Sequence, residues 1–152
     1  MRRLSLVSLI ALGVILFLVI SALLARALSV GGAEDSAITD LVKAEARGDR
    51  SAVISEISGC QSDPACRARA ASVSAALRRA GGVSIIQIQP SAGFSLGSTL
   101  GTARVAWLVG GSLPRVQCVR VRHTGNVLEG FRVRLLEVSV RIPSSHDCPK
   151  NF

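Results

Sequence analysis

The hydrophobic pattern of the chain changes twice. Leu4–Ala25 is 22 residues without charge or proline, and 15 of them are Leu, Ile, Val or Phe. A helix of that length spans roughly 33 Å, against about 30 Å for a hydrocarbon core, so the stretch predicts a transmembrane helix. From Ser36 to Ala80 apolar residues recur at helical spacing. From Val83 to Ile142 they alternate as in strands.

Within the helical part, Ile38, Leu41, Val42 and Glu45 fall on one stripe. Arg47-Gly48-Asp49 breaks it. Gly48 suits the left-handed end of one helix and Asp49 the cap of the next, which continues through Ala52, Val53, Ile54 and Ile57 to about Ser58. Asp63-Pro64 is a start signal for a third helix, Pro64 to Ala80, closed by Gly81-Gly82. Its small residues, among them Ala71, Val73, Ala75 and Ala76, predict close packing on a sheet.

The strand part reads as Val83–Gln89, Thr102–Val109, Val116–His123 and Phe131–Ile142. Ser91–Gly101 is a glycine-containing loop between the first two, without the Lys-Ser/Thr end of a phosphate loop. In the last strand Phe131, Val133 and Leu135 share one parity, and Leu136, Val138, Val140 and Ile142 the other. Side chains alternate strictly along a strand, so the slip predicts a bulge at Leu135–Leu136. The predicted inward positions are almost all aliphatic. The fold class is therefore α+β: a transmembrane helix, then three helices on a curved antiparallel sheet of about four strands.

The domain plan follows: residues 1–3 cytoplasmic, 4–25 the signal anchor, 26–35 a linker with a flexible tether at Ser29–Ala33, and 36–152 one extracytoplasmic domain. Asp35 or Ser36 is expected to cap the first domain helix. Arg2 and Arg3 before the apolar run favour a cytoplasmic N-terminus and a cell-membrane location. Cleavage at Ala25-Arg26-Ala27 is the rival reading and makes the domain a secreted one, with a mature N-terminus near Leu28.

Charge narrows the partners. The net charge is +8; three of the 18 basic residues flank the apolar run, leaving 15 against 10 acidic ones. The expected partners are the membrane, an envelope protein, or an anionic envelope component. Arg104, Arg120, Arg122, Arg132 and Arg134 repeat on outward strand parities and are the candidate basic surface, weighed against ordinary exposed strand charges. Nucleic acid is not expected, because the aromatic residues that stack bases are nearly absent: Phe17, Phe94, Phe131, Phe152 and Trp107 are all there are.

Four cysteines in an exported domain predict two disulfides, and Cys60–Cys66 with Cys118–Cys148 is the favoured pairing of three. A zinc site from Cys118, His123, His146 and Cys148 matches no known ligand spacing. No metal or cofactor is predicted, and no catalytic residue is assigned. The reading leans to a non-enzymatic binding or assembly module of the cell envelope. The alternative is a small-molecule or isomerase/hydrolase-like site inside the fold, with His123 and Glu129 at its mouth.

Three N-terminal helices, the Gly48-Asp49 break and the bent meander together resemble the nuclear-transport-factor-2-like superfamily across about Ser36–Ile142. The resemblance implies a cone-shaped α+β fold with helices packed in a curved sheet, as in exported, tethered members of undefined function. It also implies homodimers through the open sheet face. Enzymes of that superfamily place Asp, Glu, His or Tyr inside the cone, and the aliphatic inward positions here argue against such a role.

Overall fold

The computed structural model describes the backbone of residues 2–91, 98–126 and 130–152, and the side chains of residues 9–25, 31–91, 98–125 and 132–152. The elements are α1 (Arg2–Arg47), α2 (Arg50–Glu56), α3 (Pro64–Leu77), β1 (Val83–Gln89), β2 (Thr99–Val109), β3 (Arg115–Asn126) and β4 (Gly130–Val138). The strands form one antiparallel sheet in the order β1-β2-β3-β4. The fold is α+β, as the pattern predicts.

The tether does not form. α1 continues without interruption through Ser29–Ala33 and past Asp35 and Ser36, so neither residue caps a helix start. Gly31 and Gly32 lower helix propensity by about 1 kcal/mol each relative to alanine. That cost is outweighed because the helix on their C-terminal side is fixed by packing. Ile38, Leu41, Val42 and Glu45 are all buried, with Ala44 and Ala46 beside them. On their N-terminal side, Leu9–Leu24 is helical with almost every side chain exposed. Among the described residues no helix is long and apolar enough to cross a membrane; side chains of the apolar run are described from Leu9 only.

Gly48 (φ +71°) ends α1, and its N–H donates to the Glu45 carbonyl. Asp49 then caps α2, accepting from the Ala52 N–H at 3.0 Å and the Ser51 hydroxyl at 2.7 Å. These bonds hold the Asp49 carboxyl below the usual carboxylate range. Asp63 caps α3 through the Ala65 N–H at 2.9 Å. The buried stripe of α3 is Ala70, Val73, Ser74 and Leu77, while Ala75 and Ala76 point outward.

One face of the sheet carries the helices. Ala103, Val105, Trp107 and Val109 of β2 meet Val119 and Val121 of β3 and Leu135 and Val138 of β4 against α1, α2 and α3. The register between β3 and β4 shifts as the parity slip requires: Val121 faces Leu135, Arg120 faces Glu137, and Leu136 is the extra residue. β4 stops at Val138. The next segment stays beside β3 through Ser139 N–H to Cys118 O and Ile142 N–H to Val116 O, and Val140 is exposed.

The interior differs from the aliphatic one expected. The inward positions of β3 include Arg115, Gln117 and His123, all buried. Trp107 Nε1–H donates to Gln117 Oε1 at 2.7 Å, and Gln117 Nε2–H donates to the Ser139 carbonyl at 3.1 Å. A polar belt therefore crosses the helix-covered face.

The C-terminal segment, residues 143–152, lies over the opposite face. Cys148 is bonded to Cys118, Arg104 Nη2 donates to Ser144 O, and Arg120 Nη2 donates to Lys150 O. The Phe152 ring lies 4.9 Å from the Arg120 guanidinium carbon. Cys60–Cys66 closes the turn before α3. Both disulfides have the favoured pairing.

Candidate functional site

The five arginines of the predicted basic surface do share the outward face, but the structure divides them. Arg104 and Arg120 hold the C-terminal segment. Arg120 also pairs with Glu137 at 2.8 Å, and Arg69 of α3 reaches the other Glu137 oxygen at 3.0 Å. Arg122, Arg132 and Arg134 are exposed, and Arg122 faces Arg134 across the β3–β4 ladder. Like charges directly opposite each other repel. What remains as a candidate binding surface is this trio at the far end of β3 and β4.

His123 lies not at an open mouth but in a closed cluster. Its Nε2–H donates to Glu34 Oε2 at 2.8 Å, and the Ser91 hydroxyl donates to the same oxygen at 3.1 Å. The Ser91 backbone N–H donates to Glu34 Oε1 at 2.8 Å. Glu34 is 1% exposed and His123 7%. Glu129, its expected partner, lies outside the described residues.

Local sequence explains how the cluster is assembled. Glu34 is the first buried side chain of α1 described on the path from the apolar run into the domain. Ser91 follows β1 and crosses over Gly101 of β2, where a Cβ would collide with the Ser91 carbonyl. Glycine there allows the close approach that aims the Ser91 N–H at Glu34. His123 stands on β3 opposite Thr99, whose hydroxyl is buried without a partner among the described residues.

The chemistry of this cluster is that of a clamp. A serine nucleophile needs its hydroxyl hydrogen-bonded to the base, with the base oriented by an acid. Here the serine and the histidine both donate to one carboxylate, and the serine does not contact the imidazole nitrogen that bonds Glu34. The carboxylate oxygens accept three bonds from β1's exit and from β3, and so tie α1 to the sheet.

Eleven residues further along α1, Glu45 is 0% exposed, and among the described residues neither carboxylate oxygen has a hydrogen-bond partner. Burial pushes its pKa up to about 8, with the neighbouring Gln117 amide opposing. Sequence reasoning placed Glu45 on the core stripe but missed Glu34, Ser91 and the inward Arg115. The available signal was His123 at an inward strand parity, which demands a buried polar partner.

Cys118 and Cys148 are joined to each other on the outer face, whereas His123 faces inward, so the zinc set is not assembled. Among the described residues no group of three His, Cys, Asp or Glu is placed to hold a metal ion. What fold and site define is an α+β domain carried on a long helix, with a closed polar clamp at the helix's entry. No protein-family model matches the chain, and no curated protein or solved structure does either.

Proposed function

We propose that the chain is a membrane-tethered, extracytoplasmic binding or assembly module of the cell envelope, without enzymatic activity. One observation carries the reading: the apolar run and the core stripe belong to a single helix, α1. The residues on the apolar side are exposed hydrocarbon, which water disfavours by roughly 25 cal/mol per Å². Insertion of Leu4–Ala25 into a bilayer, with Arg2 and Arg3 on the cytoplasmic side, covers that surface. The two disulfides suit the oxidising side of the membrane.

In this reading the domain stands on a stiff rod, and the nuclear-transport-factor-2-like resemblance supplies the kind of scaffold. Arg122, Arg132 and Arg134 are the surface offered to an envelope protein or anionic envelope component. A homodimer through the outer sheet face must use what the C-terminal segment leaves uncovered.

Crosslinking in native membranes, followed by purification and mass spectrometry, tests the proposal. One envelope protein recovered in near-stoichiometric yield, and lost in the Arg122→Glu/Arg132→Glu/Arg134→Glu variant, is the expected result. Full recovery of the partner with the variant removes the arginine trio from the account. Recovery of a small molecule alone favours the ligand-site alternative.

A further inference from the structure

A cleft of about 260 Å³ opens between the end of α3 and the segment that follows β4. Its walls include Val73, Leu77 and Val140, and three arginines line it: Arg79, Arg115 and Arg141. The volume is close to the lower limit of small-molecule sites, about 300 Å³.

Among the described residues these arginines have no carboxylate partner. Among the described residues the ion pairs are Asp40–Lys43, Glu137 with Arg69 and Arg120, and Glu34–His123. None involves the three guanidinium groups of the cleft. Burial, then the charges of Arg79 and Arg141, pull the Arg115 pKa below its ordinary value. An anion in the cleft relieves that repulsion.

Arg115 is also held in place. It is 7% exposed, its Nη1 donates to the Leu77 carbonyl at 2.9 Å, and its guanidinium carbon lies 5.6 Å from the Trp107 ring centroid. A fixed guanidinium loses little freedom when it meets a carboxylate or phosphate, and its planar fork suits both. Arg79 and Arg141 are exposed and close the charge ring from the rim.

We propose that this cleft binds an anionic amphiphile, with a carboxylate or phosphate head on Arg79, Arg115 and Arg141 and a short apolar body against the exposed Ala76 and Val140. A bare anion leaves the exposed Ala76 and Val140 side chains wet, and a neutral hydrocarbon leaves three cations without a counter-charge. The site is distinct from the arginine trio at the other end of β3 and β4, and it does not depend on that trio's role.

Its place in the fold bears on the ligand's source. The Arg79 N–H donates to the carbonyl of Ala46, at the end of α1. At 1.5 Å per residue, Ala46 lies about 30 Å along the helix from Ala25. With α1 upright, the cleft stands clear of the headgroups and takes its ligand from solution.

The test uses the full chain in phosphatidylcholine nanodiscs, with Trp107, the single tryptophan, replaced by its 5-fluoro analogue. Fluorine resonance shifts are followed during titration with hexanoate and with hexyl phosphate. A saturable shift is expected with both, at concentrations at least tenfold below those that hexanol or inorganic phosphate requires. The Arg79→Gln/Arg141→Gln variant is expected to weaken binding tenfold or more while its unliganded resonance stays in place. If that resonance moves, Arg141→Gln alone carries the comparison. A response in phosphatidylglycerol nanodiscs without added probe, lost in the variant, identifies the bilayer as the source. Absence of saturation with either anion, an equal response to hexanol, or unchanged affinity in the variants overturns the proposal.

Discussion

The two halves of α1 reverse the usual relation between polarity and exposure. Residues 9–24 are almost wholly apolar and exposed, while the sheet-facing side of residues 34–46 is buried and includes two of that stretch's four carboxylates, Glu34 and Glu45. One regular element thus passes from an exposed apolar half into a half packed on the sheet. The first half lacks a protein environment among the described residues. The second half has one on its sheet-facing side, where Glu45 receives no hydrogen bond among the described residues. It also separates the two carboxylates. Glu34 is tied to Ser91 and His123, whereas Glu45 is simply enclosed.

Charging the first half of α1 tests whether lipid covers it. Ile15→Arg with Leu18→Arg raises the cost of insertion by roughly 6 kcal/mol, about 3 per substitution. Loss of the chain from the carbonate-resistant membrane fraction is the expected outcome. Retention there shows that the first half is not held by lipid.

Acidity probes the second half. Glu45 binds its proton more tightly in the folded state, so its contribution to stability is fully present below the unfolded pKa, 4.5. It is lost as pH rises through about 8. The stability of the solubilised chain against thermal unfolding is expected to fall by about 3–5 kcal/mol across that window. Glu45→Gln flattens the slope; a wild-type curve already flat contradicts the burial argument.

Covalent ties come next. Cys118→Ala/Cys148→Ala opens a loop of 30-residue separation, worth about 3.5 kcal/mol in the chain-entropy model. Cys60→Ala/Cys66→Ala, with a separation of 6, is worth about 2. Equal effects indicate that the C-terminal segment gains little from its disulfide. Glu34→Ala strands His123 and the Ser91 N–H in the interior and is expected to cost about 3 kcal/mol, with Glu34→Gln milder. Amide exchange at Ser91 reads whether the clamp has opened.

The smallest effect concerns the junction. A Cβ at Gly31 or Gly32 meets nothing within 4 Å. Alanine at each is expected to stabilise the helix by about 0.5–1 kcal/mol and to leave the domain unaltered. A folding defect in either variant implies that the junction bends.

Much of the framework was legible because its signals are local. Asp49 and Asp63 are cap residues a few positions from the N–H groups they accept from, and the Leu135–Leu136 slip is a parity count within one strand. The continuity of α1 was not legible. Gly31-Gly32 and the cap-like Asp35 and Ser36 all mark a break, and only long-range packing of Ile38–Ala46 on the sheet overrides them. The clamp was hidden for a related reason. Glu34 and His123 are 89 positions apart, and Glu34 read alone is a charge beside a tether. The inward face of β3 misled because Arg115, Gln117 and His123 look like surface residues until Trp107, Ser139 and Glu34 supply their partners.

The most direct test of the central claim, that one helix serves as both anchor and core, locates the two ends of the chain in intact cells. Mass spectrometry of the membrane-bound protein reads its N-terminus, and external protease reads the exposure of the domain. The expected result is a chain that keeps Leu4–Ala25, resists carbonate extraction and presents its domain to the outside. A soluble chain beginning near Leu28, or a domain shielded from protease until the cells are opened, contradicts it.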